Sequence, residues 1–333
     1  MAPPGKAARA LLAGFEPAID VHAHYLPAAY REALERGGHH HLDGNAVGPP
    51  SWDVAEHLGF MDESGIGTSI LSVSSPGLLL TGEQRDTTEL AQRVNDQGAE
   101  VVRDRPDRFG LFASLPLPSI DAALTELQRA DDELHADGVS LLTNYDGTYL
   151  GDQRLDPIFD ELSRRRAVVA IHPTSPACWE AVSFGRSRAS IEFMFDTARA
   201  VFNLVLSGTL DRCAGIQLVI PHGGGVIPLL ADRVDRTRLF AGGSAADVDL
   251  FATLRRPLYD TAGGLLPRQL PALLRLVPPD RLVYGSDYPF TSVPSVRSAT
   301  ADLARTDLLS EEELNALLRH TSSGLFPRLG LGG

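Results

Sequence analysis

Lysine and cysteine are almost absent from this sequence. Lys6 is the one lysine in 333 residues, and it falls in a short stretch ahead of the first predicted strand. A phosphate-binding-loop lysine, a buried Schiff-base lysine and a carbamylated lysine bridging two metals are therefore excluded. The two cysteines, Cys178 and Cys213, are too few for a cysteine-rich zinc module or a secreted disulfide framework. We expect a reducing, cytoplasmic setting.

Basic charge and long apolar runs are scarce as well. Lys and Arg number 30 against 43 Asp and Glu, which gives a formal net charge of −13 with histidine neutral. Such an acidic chain lacks the basic face that sequence-independent nucleic-acid binding requires, so we expect no nucleic-acid partner. No apolar run approaches ~18 residues, so we expect no membrane span. Residues 1–17 carry only a short apolar patch, and we interpret them as a flexible extension.

Short β-type runs alternate with longer amphipathic runs from residue 18 onward. Apolar runs such as Ala-Val-Val-Ala-Ile at 167–171 are typical of strands buried on both faces of a parallel sheet. The eight predicted strands span residues 18–24, 68–74, 108–115, 138–144, 167–173, 216–223, 257–263 and 281–290. Eight strands with interleaved helices favour an α/β fold of the (β/α)8 TIM-barrel type. The first strand is not followed by a Gly-rich fingerprint, which argues against a dinucleotide-binding open sheet.

No linker or internal repeat divides the chain, so residues 18–328 are predicted to form one catalytic barrel domain. A small insertion is predicted after the first strand. It consists of a Gly-, Pro- and His-rich loop at 37–50 and a helix at 51–64, with Ser51 as its N-cap. Further helices are predicted at 88–103, 119–134, 190–206 and 294–304.

Histidine and aspartate recur at the carboxyl ends of the predicted strands, where parallel barrels place their active sites. His22 and His24 lie two residues apart on the first strand and face the same side. His172, His222 and Asp287 end the fifth, sixth and eighth strands. Each has an ordinary structural alternative, such as helix capping by Asp287, but together they predict one bound divalent metal. Imidazole and carboxylate ligands suit Zn²⁺, with Mn²⁺, Fe²⁺ and Co²⁺ as alternatives.

Four segments, IDVHAHYLP, AIHP, PHGGG and YGSDYPF, carry a family resemblance. In this order they resemble the metal-dependent amidohydrolase superfamily, and within it the branch around 2-amino-3-carboxymuconate-6-semialdehyde decarboxylase. The segments SLPLP (114–118), YLGD (149–152) and EFMFDTARAVFNLVLSG (192–208) are most similar to 6-methylsalicylate-type decarboxylases. The resemblance extends from Ile19 to about Phe326, and it implies the amidohydrolase type of barrel.

The resemblance also implies roles for individual residues. It implies that His222 hydrogen-bonds the substrate or the metal-bound water, and that Arg233 reaches the active site of a neighbouring subunit. The latter implies a homodimer or a higher homo-oligomer. The metal ligands that it implies are His22, His24, His172 and Asp287.

One departure from the family pattern bears on the substrate. The muconate enzymes carry a further substrate-binding arginine shortly before the Trp-Asp pair that resembles Trp52-Asp53. Residues 42–51 of this chain contain no Arg or Lys. A second substrate carboxylate would therefore lack its bidentate partner. A small aromatic monocarboxylate is the expected substrate.

These observations predict a non-oxidative carboxy-lyase that acts on a substituted 2-hydroxybenzoate. Asp287 is expected to carry the proton to the ring carbon that bears the carboxylate, and His222 to stabilise the developing charge. Trp52, Phe193 and Phe290 are predicted to form apolar walls of the substrate pocket. The alternative on the same barrel is a metal-dependent hydrolase of a lactone or amide, with His222 as base, and a non-catalytic binding barrel is a third hypothesis.

Overall fold

The computed structural model describes residues 14–241 and 247–330. Residues 1–13 of the predicted extension lie outside the described residues, and residues 14–17 lead into the first strand. The strands are β1 Ala18–His24, β2 Ile66–Ser72, β3 Phe109–Ser114, β4 Gly138–Leu142, β5 Asn144–Tyr145, β6 Thr148–Tyr149, β7 Val168–His172, β8 Gln217–Ile220, β9 Leu258–Asp260 and β10 Leu282–Val283. Eight of them form one sheet of parallel neighbours in the order β1-β2-β3-β4-β7-β8-β9-β10.

Backbone hydrogen bonds between the two ends of this sheet close it into a barrel. The N–H of His24 donates to the carbonyl of Tyr288 (2.8 Å), and the N–H of Asp287 donates to the carbonyl of His22 (2.8 Å). A parallel bridge between Ala23 and Tyr288 lies at the same seam. The predicted (β/α)8 barrel is thereby confirmed, and the seam brings the end of β1 directly beside Asp287.

Two apolar layers hold the barrel together. Alternate residues of a strand face opposite sides, so one set points inward and the other outward. The inner cluster takes residues from seven strands and from the C-terminal segment: Ile19, Val21, Ile70, Phe112, Val168, Val219, Leu258, Val283, Phe326 and Leu329. A larger cluster packs between the strands and the surrounding helices. The strands are therefore buried on both faces, as their continuous apolar runs predict.

Helices follow most of the strands and cover the barrel. The described α-helices are α1 Ala28–Arg36, α2 Val54–Ser64, α3 Gln84–Asp104, α4 Ile120–Asp132, α5 Asp156–Arg165, α6 Trp179–Val182, α7 Glu192–Leu206, α8 Thr209–Arg212, α9 Ile227–Ala241, α10 Leu250–Leu254, α11 Gln269–Leu276, α12 Val293–Arg305, α13 Glu311–Asn315, α14 Thr321–Leu325 and α15 Pro327–Gly330. None of the described helices is long and apolar enough to cross a bilayer.

The insertion after β1 contains α1, a loop with a 3₁₀ turn at Leu42–Gly44, and α2. The predicted N-cap of α2 was wrong. Asp53 rather than Ser51 caps this helix, because its carboxylate accepts the N–H of Glu56 (2.9 Å). The helix ends at Gly65, whose φ of 75° is in the left-handed region that favours glycine.

Most of the predicted strands are shorter in the structure, and the fourth and eighth differ in ways that affect the end of the barrel where the histidines lie. The fourth ends at Leu142, and residues 144–149 form a separate antiparallel hairpin, β5–β6. Asp146 and Gly147 turn this hairpin with φ angles of 49° and 80°, which is the backbone of a two-residue type I′ turn. The eighth strand is regular only at Leu282–Val283, and the segment that follows it bends to carry Asp287.

Candidate metal centre

His22 and His24 form the centre of the site at the carboxyl end of β1. Both imidazoles are buried, and their Nε2 atoms lie 3.1 Å apart. Their even spacing on the strand places both rings on the same side, as the His-x-His pattern predicts. His172, at the end of β7, packs edge-on against the His24 ring with a centroid distance of 4.8 Å.

The partners of the three Nδ1 atoms determine what the Nε2 atoms can do. The Nδ1 of His22 lies 2.7 Å from a carboxylate oxygen of Asp260, that of His24 lies 3.3 Å from the carbonyl of Ser72, and that of His172 lies 2.7 Å from the carbonyl of Pro173. These oxygens only accept hydrogen bonds, so Nδ1 is the donor in His22 and His172. The Nδ1 of His24 also lies 3.0 Å from the Ser72 hydroxyl, which can accept from it while it donates to the carbonyl of Ala23 at 3.3 Å. Each Nε2 is thereby left to offer its lone pair to a metal.

Asp287 completes the group. One of its carboxylate oxygens lies 3.2 Å from the Nε2 of His24 and 3.6 Å from that of His22, and the other accepts the hydroxyl of Thr291 at 2.8 Å. Burial opposes ionisation, but the hydrogen bond with His24 and the charge on His22 outweigh it and hold the pKa of Asp287 below its usual range. The residue has a φ of 59°, a strained backbone conformation that recurs at functional sites.

The ligand atoms of these four residues all lie within 4.8 Å of one another: His22, His24, His172 and Asp287. A tetrahedral metal with bonds of about 2.0–2.1 Å separates its ligands by about 3.3 Å, close to the spacing of the His22, His24 and Asp287 atoms. Three imidazoles and one carboxylate fit a divalent metal, and the four residues form a site for one. Within residues 14–241 and 247–330 no second group of this kind is found.

His222 lies beside this group without belonging to it. Its ring centroid is 5.0 Å from that of His22 and 6.4 Å from that of His172. Its Nδ1 is buried and has no hydrogen-bond partner. Burial and the charge on His22 lower the pKa of His222, so its imidazole is neutral near pH 7. This buried nitrogen is therefore available for a hydrogen bond to a ligand or a water molecule in the site.

A cavity of about 520 Å³ opens onto the metal group. The cavity is lined by Leu42, Asp43, Asn45, Ser74, Ser75, His172, Ser187, Ala189, Ser190, Phe193, Met194, His222, Ala262, Gly263, Gln269, Asp287, Phe290 and Thr291. Phe290 stands edge-on to His24 at 5.4 Å, and Phe193 edge-on to His172 at 6.2 Å. Two of the three predicted apolar wall residues, Phe193 and Phe290, are thus in the lining.

The other two predicted substrate-binding residues lie elsewhere. The Trp52 indole is buried, donates from Nε1 to the Nδ1 of His57 (2.9 Å), and is not in the cavity lining. Arg233 lies on the exposed face of α9. The Trp52 side chain packs in the apolar cluster between the strands and the helices, which is the other common place for a large aromatic side chain.

A second cavity, of about 580 Å³, lies beyond the loop of the insertion. Leu42 and Asp43 line both cavities and therefore stand between them. The Asp43 carboxylate accepts the hydroxyl of Ser175 (2.6 Å), and the hydroxyls of Ser75 and Thr174 are hydrogen-bonded at 2.8 Å. The two cavities therefore adjoin at a hydrogen-bonded group of polar side chains.

Three polar residues around the metal group were missed by sequence reasoning. Asp260 bonds His22, and Gln269 donates to the carbonyl of His222 (2.5 Å). Asp20 accepts the backbone N–H groups of His22 (3.1 Å) and Ser286 (3.0 Å) and the Ser286 hydroxyl (2.5 Å). The available signal was a carboxylate on a strand. Asp20 precedes the His-x-His pair, and Asp260 lies within the seventh predicted strand, residues 257–263.

Comparisons with known proteins agree with this geometry. The chain is similar to the 6-methylsalicylic acid decarboxylase acuB of Aspergillus aculeatus, with 34% identity over 93% of this chain and 96% of that protein. It is 26% identical to 2-amino-3-carboxymuconate-6-semialdehyde decarboxylase of Dictyostelium discoideum, over 82% of this chain and 81% of that one. The crystal structure of an amidohydrolase II superposes with a TM-score of 0.88 at 34% identity, covering 93% of this chain and 99% of the other.

The family description matches almost the whole barrel. The family described as Amidohydrolase matches residues 19–328, a span that includes all four strand-end motifs. The resemblance read from those motifs is confirmed, including its decarboxylase branch. The chain belongs to the amidohydrolase family.

Proposed function

We propose that this protein is a metal-dependent, non-oxidative decarboxylase of a small aromatic acid such as a substituted 2-hydroxybenzoate. The observation that carries the proposal is a one-metal group of three histidines and one aspartate that opens, with His222, onto a cavity of about 520 Å³. A cavity of this size suits a small-molecule ligand. The similarity to 6-methylsalicylic acid decarboxylase over 93% of the chain supports the same reaction class.

The metal is proposed to be a single Zn²⁺, with Mn²⁺ as the alternative. His22, His24, His172 and Asp287 would hold it, and the imidazole-rich set favours zinc over the harder cations. When bound, a divalent metal supplies positive charge against the substrate carboxylate and ortho oxygen, which is typically worth several kcal/mol in the transition state.

The residues of the chain are proposed to move the proton and stabilise the charge. Asp287 is ionised in the free protein, so it takes up a proton from solvent as the substrate binds and then delivers this proton to the ring carbon that bears the carboxylate. Its second oxygen is held in place by Thr291. When the carbon–carbon bond breaks, its electron pair returns to the ring and CO₂ leaves. The neutral His222 donates a hydrogen bond to the substrate oxygen on which negative charge develops. After the proton transfer Asp287 is again ionised, as in the free protein. A positioned acid of this kind typically contributes 10²–10⁴-fold.

The cavity walls are proposed to select a single ring. Phe193 and Phe290 flank the histidines from two sides and offer aromatic edges and faces to the ring. The wall that contains Leu42 and Asp43 closes the metal cavity toward the second one. Among the residues that the structure describes, the lining of the metal cavity includes no Arg or Lys, which fits a substrate with one carboxylate.

The protein is proposed to work as a homodimer or higher homo-oligomer in the cytoplasm. Leu229, Arg233 and Phe240 share one face of α9, and the two apolar side chains are 74% and 90% exposed. Exposed apolar side chains of this size favour a partner surface, and Arg233 would then reach the neighbouring cavity. Both cysteines are unpaired, in keeping with a reducing compartment.

The test is a substrate panel with two product assays. Zinc-loaded protein is incubated with 6-methylsalicylate and other 2-hydroxybenzoates, and with aryl lactones and amides. We expect CO₂ and the matching phenol from the 2-hydroxybenzoates. Ring-opened acids from the lactones without CO₂ release from any benzoate would establish the hydrolase alternative, because the same metal group serves both reactions. If the metal-loaded protein turns over neither the 2-hydroxybenzoates nor the lactones and amides, both the decarboxylase and the hydrolase hypotheses are contradicted.

A further inference from the structure

Asp260 uses its two carboxylate oxygens for two different parts of the site. The residue ends β9 and is only 2% exposed. One oxygen accepts the Nδ1 proton of His22 at 2.7 Å. The other accepts the backbone N–H of His222 at 2.8 Å and that of Ala262 at 3.0 Å. One buried carboxylate therefore contacts both a metal-ligating ring and the backbone of the neighbouring histidine.

The backbone of His222 needs such support. Its φ of 53° is in the left-handed region, which is strained for a residue with a side chain. Its N–H is held by Asp260, and its carbonyl accepts the amide N–H of Gln269 at 2.5 Å. The same Gln269 amide also donates to the carbonyl of Gly225 at 3.1 Å, so it closes the turn from the other side.

We propose that Asp260 is a positioning residue that couples metal binding to the placement of His222, whereas Gln269 positions His222 alone. The part of this proposal that concerns the placement of His222 rests on the proposed decarboxylase function. The effect of Asp260 on metal binding does not. By holding the proton on Nδ1 of His22, Asp260 directs the Nε2 lone pair toward the metal. By accepting the N–H of His222, it fixes the strained turn that aims the imidazole into the cavity.

Asparagine has the shape of aspartate but cannot do both tasks. If its amide oxygen faces His22, its NH₂ group faces the backbone N–H groups of His222 and Ala262. All of these groups are hydrogen-bond donors, so both backbone hydrogen bonds are lost. If the amide is flipped, its NH₂ group faces Nδ1 of His22 and drives the ring proton to Nε2, where it blocks metal binding. Either orientation loses one of the two functions, so Asp260→Asn is a sharp test.

The first experiment measures Zn²⁺ affinity by competition with a chromogenic chelator, using full-length protein stripped of metal. Loss of an oriented hydrogen-bond partner typically lowers metal affinity by 10–100-fold, and we expect a loss in this range for Asp260→Asn. The matched control is Asp196→Asn, because Asp196 is equally buried but accepts from Asn144, Thr143 and Tyr149 instead of a metal-ligating ring. We expect its zinc affinity to stay within about twofold of wild type, since it touches no ligand. Equal zinc affinities for Asp260→Asn and wild type would overturn the proposal.

The second experiment separates the two residues. Gln269→Met keeps the length of the side chain but removes both hydrogen bonds to the turn. We expect zinc affinity close to wild type, kcat lower by about 10-fold or more, and KM changed less than kcat, since the defect lies in the transition state. A Gln269→Met variant that loses zinc as Asp260→Asn does, or that keeps full kcat in a decarboxylating enzyme, would overturn the division of roles.

A third measurement does not depend on a variant that folds. With histidine labelled at ¹⁵N, zinc-loaded wild type should show a slowly exchanging imidazole proton on Nδ1 of His22. A proton that exchanges freely with water at this position would contradict the role of Asp260. If zinc binding follows the expected pattern but no substrate releases CO₂, the proposed function fails while the coupling of Asp260 to the metal stands.

Discussion

The Nε2 atoms of His22 and His24 face each other at 3.1 Å. At most one of them can carry a proton at this distance, since two N–H groups would collide. Burial works against charge on His22, but the Asp260 carboxylate outweighs it and raises the pKa of His22 to about 9. In the metal-free protein one proton therefore bridges the two rings. A divalent cation that binds these two nitrogens would take the place of this proton.

Metal removal should therefore destabilise the fold. A ligand present at about 1,000 times its Kd stabilises a protein by about 4 kcal/mol, which for a domain of this size corresponds to roughly 8 °C in Tm. We expect a chelator to lower the Tm of the zinc-loaded wild type by about this amount, as measured by calorimetry. His172→Ala removes one ligand, so its Tm should not respond to zinc or chelator and its turnover should be lost. A His172→Ala protein with full zinc content and activity would show that the ligand set is wrong.

Asp287→Asn should separate metal binding from catalysis. The amide still offers an oxygen to the metal, but it cannot carry a proton. We expect kcat to fall by ~10²–10⁴-fold or more, while the protein still binds zinc in equilibrium dialysis. Asp280→Asn, an exposed position just before β10, serves as the matched control and should change neither quantity. If Asp287→Asn turns over substrate at nearly the wild-type rate, Asp287 does not transfer the proton and has only a structural role.

His222→Ala should slow turnover strongly and leave the metal in place. The imidazole of His222 lies next to the four ligand residues. It does not belong to the group whose ligand atoms all lie within 4.8 Å of one another. We expect kcat to fall by ~10²–10⁴-fold, with zinc content per chain unchanged by elemental analysis. Loss of zinc from this variant would instead make His222 a ligand.

The positions of the metal ligands could be predicted from sequence because two rules act on the backbone alone. Strand order places all eight carboxyl ends at one mouth, and the period of two places His22 and His24 on one side. The contacts of side chains could not be predicted in the same way. Nothing local shows that Asp260 turns toward His22, because the two residues are 238 positions apart in sequence and meet only through the closed barrel. Trp52 and His57 are five residues apart, but the sequence does not show that the indole turns toward that ring. The prediction of the N-cap of α2 was wrong for a related reason. Ser51 and Asp53 are both good N-cap residues, and only the position at which the helix begins decides between them.

His57 should make the stability of the protein depend on pH. Its Nδ1 accepts the indole N–H of Trp52, its Nε2 is buried without a partner, and burial lowers its pKa to about 3. The unfolded value is near 6.5, so the folded state binds fewer protons between these values. The contribution of the neutral His57 to the free energy of unfolding is therefore fully present above pH 6.5. It is lost as the pH falls toward 3, and the loss amounts to at most about 5 kcal/mol.

The measurement compares wild type with His57→Gln, which keeps an oxygen that can accept from Trp52 but does not titrate. Urea unfolding from pH 7.5 to pH 4 should show a shallower loss of unfolding free energy in the variant. All other buried titratable groups are common to both proteins, so the difference isolates His57. Identical slopes would contradict a neutral His57 in the fold.

Arg233 provides the test of a shared active site. It lies on the exposed face of α9, away from the cavity of its own chain, and the proposal places it in the cavity of a neighbouring subunit. Arg233→Ala should then raise KM for the carboxylate substrate, because a guanidinium bonds a carboxylate through two charge-assisted hydrogen bonds. Arg236→Ala, also exposed on this helix, is the matched control and should leave KM unchanged. Mixed dimers of Arg233→Ala and His172→Ala chains regain one complete site, so random mixing should restore about one quarter of wild-type activity. A fully active monomer in sedimentation, or verified mixed dimers without rescue, would refute the shared site.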